Sequence, residues 1–290
     1  MCGVRVLRKA YYLLAPLAGL IVAGCQTAAV PGDVTASISR PAATGTGTAI
    51  GGSHQQNLAS LSEVITRNPD DAHALNLRGT AHAEAGELRR ALTDFSAAIK
   101  LNPVYHQAYA NRALVEARMG RDAAALADYH RAIALAPSYQ NAYIGRGRLH
   151  MKSGRMPLAL SDFSRAIRIN DENPVPFYNR GLIYQARGDH RQAIDDFDFA
   201  IDLRPAMAAP YLSRGRSEVA ILEHKAALRD FTLATELDSR DPEAWVWRGF
   251  AAEKLGQRRN AARNYRHALR LDASSAPARR GLRRVASRSS

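Results

Sequence analysis

One spacing governs most of this sequence. From residue 72 to residue 275 the same residue types return every 34 positions, and six such units fill the span without a slip in register. An aromatic residue recurs at Phe95, Tyr129, Phe163, Phe197, Phe231 and Tyr265, and alanines recur at Ala91, Ala125, Ala159, Ala193, Ala227 and Ala261 and again at Ala98, Ala132, Ala166, Ala200, Ala234 and Ala268. A small residue stands at Gly79, Ala113, Gly147, Gly181, Gly215 and Gly249, four places after a bulky one (Leu75, Tyr109, Tyr143, Phe177, Tyr211, Trp245). A separation of four puts both on one face of a helix, so each unit reads as two short helices. A glycine marks the turn between them at Gly86, Gly120, Gly154, Gly188 and Gly256, and only Leu222 departs. A pair of helices this short buries its apolar face only against its neighbours, which makes the stack, not the unit, the stable object.

These residues resemble the tetratricopeptide repeat, whose signature is a bulky residue, glycine or alanine, a small residue, an aromatic, alanine and a closing proline. The resemblance implies an all-α fold, a right-handed superhelical solenoid with a concave face. It places six repeats at 72–105, 106–139, 140–173, 174–207, 208–241 and 242–275. Leu58 to Arg67 resembles the second helix of a half-repeat within 54–71, and Pro277 to Ala286 a capping helix within a basic C-terminal segment, 276–290. The closing prolines Pro69, Pro103, Pro137 and Pro205 fit the pattern. Asp171, Ser239 and Ala273 stand where the pattern has proline, which leaves those turns without their usual closure.

The N-terminus carries an address. Arg5, Arg8 and Lys9 precede an apolar run from Ala10 to Gly24, the arrangement of a secretory signal over 1–24. The run is shorter than the roughly 20 apolar residues a spanning helix needs, and Pro16 interrupts it. It ends in Val22-Ala23-Gly24-Cys25, which resembles the lipobox of bacterial lipoproteins. That resemblance makes Cys25 the site of lipid attachment and the first residue of the mature chain. Gln26, in place of an aspartate, favours the outer membrane, on its periplasmic face. Residues 25–53 are mostly Gly, Ala, Thr, Ser and Pro, a composition too poor in large apolar side chains to build a core, and read as a flexible tether of about 30 Å.

Charge is unevenly placed. The chain carries +13, yet residues 257–290 hold ten arginines against the single acid Asp272, so the body is close to neutral and the end is basic. Within the repeats, Arg78, Arg112, Arg146, Arg180, Arg214 and Arg248 each precede the small residue, and Asp94, Asp128, Asp162, Asp196, Asp230 and Asn264 follow sixteen places later. An arginine stripe could bind a polyanion. A matching series of acids favours internal bridges between the two helices of each unit instead. Arg279, Arg280, Arg283 and Arg284, at spacings of three and four, form a candidate face for anionic lipid or envelope polymer, with Leu282 and Val285 turned towards the stack.

No chemistry is legible. The histidines form no metal-ligand spacing, the only cysteines are Cys2 and Cys25, and neither a phosphate loop nor a nucleophile elbow is present. We therefore expect no enzyme, no cofactor, no metal and no nucleic acid. The resemblance places ligands on the concave face, at Asn76, Asn111, Arg148, Tyr178, Asn179, Arg216 and Phe250. The family's chaperone-binding clamp is missing, since Asn76 and Thr80 occupy its places in the first unit. The expected function is a lipid-anchored periplasmic scaffold, an adaptor for protein or peptide partners in cell-envelope or peptidoglycan maintenance. The alternative is a pilotin-like assembly factor for a pilus or secretin system.

Overall fold

A computed structural model describes residues 54–287; the signal, Cys25 and the tether lie outside the described residues. The described residues form fourteen helices, one following another, and contain no strand. Helix α1 (His54–Arg67) leads into six hairpins: α2 (Ala72–Glu84) with α3 (Leu88–Leu101), α4 (His106–Arg118) with α5 (Asp122–Leu135), α6 (Gln140–Lys152) with α7 (Met156–Ile169), α8 (Pro174–Arg187) with α9 (His190–Leu203), α10 (Ala208–Ala220) with α11 (His224–Leu237), and α12 (Pro242–Lys254) with α13 (Arg258–Leu271). Helix α14 (Ala276–Ser287) closes the stack. None of these helices is long and apolar enough to cross a membrane.

The recurring residues build the core. The aromatic series is at most 2% exposed, and the alanines beside it are buried completely or nearly so. Each ring presses on the backbone of its partner helix. A Cβ added at Gly79, Gly147, Gly181, Gly215 or Gly249 would sit 2.7–2.9 Å from the ring sixteen residues later, so the small residue sets how closely the two helices approach. The two tyrosines of the series reach further. Tyr129 and Tyr265 extend to the first helix of the following unit, where a Cβ on Gly145 or Gly281 would fall 2.3 Å from the ring. The four phenylalanines of the series have Asn111, Asn179, Ser213 and Trp247 at that place.

The turns follow from local chemistry. Five glycines between paired helices have φ of 71–84°, and Leu222, with φ 67°, holds the same left-handed conformation in the fifth unit with its side chain exposed. The backbone thus overrides the sequence departure, at a cost of about 1 kcal/mol for an L-residue in that region. Where the closing proline is missing, Asn170, Asp238 and Asp272 each accept a hydrogen bond through Oδ1 from the backbone N–H two residues on (2.9, 3.0 and 2.8 Å). Asn102 makes the same Asx turn beside Pro103 (3.1 Å to the Val104 N–H), so these side chains close the turn with or without the proline.

The stack has two unlike sides. Successive first helices (α2, α4, α6, α8, α10, α12, α14) touch one another, whereas successive second helices do not. The first helices therefore line the inner, concave side and the second helices the outer one.

Candidate functional site

The arginine series is internal structure. Arg78, Arg112, Arg146, Arg180 and Arg214 each donate two hydrogen bonds, from Nε and Nη2, to the two carboxylate oxygens of Asp94, Asp128, Asp162, Asp196 and Asp230, at 2.7–2.9 Å. Four of these arginines also donate from Nη1 to the second helix of the preceding unit: Arg78 to Ser62, Arg112 to Ser96, Arg180 to Ser164 and Arg214 to Asp198 (3.5, 3.2, 3.2 and 2.6 Å). One guanidinium thereby staples three helices. It also lies over the aromatic ring three residues earlier, at 5.6–5.9 Å in Arg112, Arg146, Arg180 and Arg214. The aspartate hydrogen bonds raise Arg78, Arg112, Arg180 and Arg214 above the ordinary arginine value, against the opposing effect of burial. A bidentate pair of this kind is committed to its partner.

The fifth and sixth rungs deviate in opposite directions. Around Arg214, Glu218 is buried against Asp230, and its Oε2 has no hydrogen-bond partner among the described residues. Burial and the Asp230 charge push its carboxyl up to about 8, with Arg214 opposing. At the sixth rung Asn264 replaces the aspartate, and Arg248 donates from Nη1 to Thr235 Oγ1 at 3.0 Å while lying over Trp245 at 5.2 Å. Burial pulls this guanidinium below its ordinary value.

Along the inner side, the residues that sequence reasoning singled out fall into two groups. Asn76, Asn111, Tyr178 and Asn179 are buried between helices. Asn111 Nδ2 donates to Asn76 Oδ1 at 3.1 Å, and Asn179 Nδ2 donates to the Val175 carbonyl of its own helix at 2.7 Å. Tyr178 packs on Phe197, ring centroids 5.9 Å apart. Arg148, Arg216 and Phe250 are half-buried and reach the inner surface. Arg216 lies over the Trp247 ring at 5.6 Å and donates to Glu243 Oε1 at 3.3 Å, an oxygen that also accepts from Trp247 Nε1 at 3.2 Å.

Trp247 was missed from sequence, and it organises the C-terminal part of this side. Its counterparts are Leu77, Asn111, Gly145, Asn179 and Ser213, so it alone places a large ring at this point of the repeat. Together with Val246, Phe250, Val219, Pro242 and Pro277 it walls an open pocket of about 560 Å³ between α10, α12 and α14. On its other flank, Trp247 and Arg216 border a second hollow of about 330 Å³ with Leu182 and Gln185. The two hollows share Trp247, with Arg216 on the side of the second.

The basic end separates likewise into used and unused charge. Arg279 donates to the carbonyls of Ala273 and Ser274, closing the turn before α14. Arg284 donates from Nε and Nη2 to Glu253 (2.9 Å each), which also accepts from the Tyr265 hydroxyl at 2.8 Å. Burial works to raise the Glu253 carboxyl, but these two donors win and hold it below the ordinary glutamate value. Arg280 and Arg283 are exposed. A separate cleft of about 470 Å³ gathers Arg258, Arg259, Arg263 and Arg266 of α13 above Leu282 and Val285 of α14. Among the described residues, no three His, Cys, Asp or Glu side chains converge as a metal site.

Family models described as "Tetratricopeptide repeat" match residues 55–103, 77–139 and 111–174, residues 174–207, and residues 242–275. A search of the curated proteins gave no match. Among solved structures, the APC/C hetero-tetramer Cut9-Hcn1 is similar over 80% of this chain and 46% of that chain, at 18% identity and a TM-score of 0.69, so this chain spans about half the length of that one. PilF of Pseudomonas aeruginosa is similar at 16% identity and a TM-score of 0.65, over 78% of this chain and 97% of that one. PilW, described as a widely conserved type IV pilus biogenesis factor, is similar at 13% identity and a TM-score of 0.65, over 73% and 98%.

Proposed function

The chain belongs to the tetratricopeptide repeat family, and from that premise we propose that it is a non-enzymatic scaffold, lipid-anchored at Cys25 to the periplasmic face of the outer membrane, that holds protein partners on its inner side. The observation that carries the partner-binding reading is the open, ring-walled pocket at the C-terminal end of that side. A protein that bound nothing there would gain by closing it over Trp247 and Phe250, because exposed contiguous apolar surface marks sites of association. The lipid anchor is supported by the order of charge, apolar run, small residues and cysteine before the tether. Envelope or peptidoglycan maintenance is the setting this reading favours.

Two measurements test it. Cys25→Ser should yield a folded protein that takes up no lipid label and leaves the membrane fraction; unchanged labelling overturns the anchor. Affinity purification of the tagged wild-type chain from native membranes should recover partners that Phe250→Ser does not retain. A second reading, a pilotin-like assembly factor for a pilus or secretin, takes its support from likeness of fold to PilF and PilW over nearly their whole length. Loss of assembled secretin in a deletion strain would favour this second reading, and normal secretin would favour the first.

A further inference from the structure

We propose that the C-terminal end of the inner side is a receptor for an extended segment of a partner protein that presents a large apolar side chain next to a carboxylate. The inference rests on the reading of the inner side as a partner surface, and it adds where on that side the segment seats and what chemistry selects it.

Three observations carry it. The first is the oversized furnishing of the last repeat. The earlier units carry Leu77, Asn111, Gly145, Asn179 and Ser213 at the place of Trp247 and Thr80, Leu114, Arg148, Leu182 and Arg216 at the place of Phe250, so the fold is satisfied there without a ring. The rings therefore exceed what packing of the stack requires, and they wall a pocket of about 560 Å³, the size that takes one or two large side chains.

The second is the state of the charges at its mouth. Each acid there is already engaged: Glu243 by Arg216 and Trp247, Glu253 by Arg284 and Tyr265, and Asp272 by the backbone and hydroxyl of Ser274. One cation is not. Arg280 is exposed on the pocket rim and has no ion-pair partner among the described residues, and Lys254, outside the lining, adds positive charge nearby at 5.2 Å from the centre of the Phe250 ring. What the pocket leaves unanswered is apolar area and positive charge, and their complement is an apolar side chain flanked by a carboxylate.

The third is shape. The hollow of about 330 Å³ that shares Trp247 with this pocket reaches Leu182 and Gln185 of α8. Two hollows that meet at one ring suit a chain that sends one side chain into each, whereas a single acyl chain would need one deeper pocket. The occupant is therefore a polypeptide segment.

The test uses the full chain without its signal and displayed random peptides. Panning should enrich sequences with Phe, Trp, Leu or Ile within about two residues of Asp or Glu, or of the C-terminus. For a labelled peptide from that set, Phe250→Ser should weaken binding at least ~30-fold, as expected of a central ring. Arg280→Glu, at an exposed site that bears no fold contacts, should weaken it about 10-fold. Replacing the peptide's acid by its amide should erase the Arg280→Glu effect, which separates recognition from a general loss of folding; matched melting curves check the Phe250→Ser variant. Enriched peptides that bind both variants normally but fail on Arg148→Glu would overturn this proposal while leaving the inner side as a partner surface. If panning enriches nothing, both readings fall. Concentration-dependent dimers in sedimentation that Phe250→Ser abolishes would replace the partner segment with a second copy of this chain.

Discussion

The fifth and sixth repeats share a backbone and differ in charge. Arg214 faces Asp230 and Asp198 directly, with Glu218 buried beside Asp230, whereas Arg248 has Asn264 and Thr232 at the corresponding places, donates to Thr235 instead, and has Ala252 where Glu218 would stand. Yet both hairpins begin 34 residues apart and bury their rings equally. The carboxylate of a rung is thus not what fixes the angle between paired helices. The contact between a small residue and a ring does that, at Gly215 with Phe231 and at Gly249 with Tyr265. What the rung decides is how firmly a unit is held and how much positive charge it leaves over. The sixth unit spends the least on internal pairing and stands beside both the apolar pocket and the cationic cleft.

The comparison can be broken first at its common part. Phe231→Ala and Tyr265→Ala should each cost about 3–5 kcal/mol in denaturant unfolding, because both truncate a buried ring. A much smaller loss at Tyr265 would show that the two units do not share one core.

Next come the rungs. Arg214→Ala should cost about 3 kcal/mol, since it leaves Asp230 buried without its partner, while Arg248→Ala should cost about 1 kcal/mol, as a hydrogen bond to a neutral hydroxyl and a ring contact are lost and no buried charge is left behind. Equal losses would mean that the aspartate contributes little.

The acid crowding at the fifth rung has a pH signature. Unfolded, Glu218 ionises at its ordinary value; folded, it keeps its proton up to about 8. The folded state therefore binds more protons across that interval, and stability falls as pH rises through it. Glu218→Gln should remove this fall, so that its advantage in melting temperature opens above the ordinary glutamate value and is complete near pH 8. A constant difference from pH 4 to pH 9 would refute the shift.

Smaller effects sharpen the contrast. Asn264→Asp should give Arg248 its missing carboxylate and stabilise the last hairpin by about 1 kcal/mol, visible as slower hydrogen exchange in α12 and α13. Leu222→Gly should gain about 0.5 kcal/mol, since the turn already has the left-handed conformation glycine prefers and the added chain entropy takes back part of the relief. No gain there would indicate that the exposed leucine makes a compensating contact.

Much of the fold was open to reading in the sequence because helical period, aromatic spacing and the sixteen-residue offset between arginine and aspartate are one-dimensional signals. The turns at Asp171, Ser239 and Ala273 were left open because the pattern weighed only proline, while Asn170, Asp238 and Asp272 close them through side-chain hydrogen bonds. Gly145 and Gly281 carried a signal that went unused: each lies sixteen residues after a tyrosine of the aromatic series, where the longer ring needs room. The inner side was less legible. Whether Asn76 or Asn179 reaches solvent depends on how far one helix slides over the next, which spacing does not report. The reach of Nη1 back to Ser62, Ser96, Ser164 and Asp198 is likewise a property of the stack. Trp247 could have been found as the lone ring in a column that otherwise holds Leu77, Asn111, Gly145, Asn179 and Ser213.

The arginine staple also has a direction. Its backward contact lies sixteen residues earlier in the chain and its aspartate sixteen residues later, so a chain made from its N-terminus meets these seats in a fixed order. As a first helix bearing Arg112, Arg180 or Arg214 leaves the ribosome or a translocation channel, the seat for its guanidinium is already in place on the finished hairpin, and the aspartate arrives afterwards to lock it. Growth in this sense needs no long search, because every step joins the newest helix to the one just completed. At α14 the arginine's place is taken by Leu282 and the place of the seat by Arg266, a donor and not an acceptor, so the staple is absent from this helix.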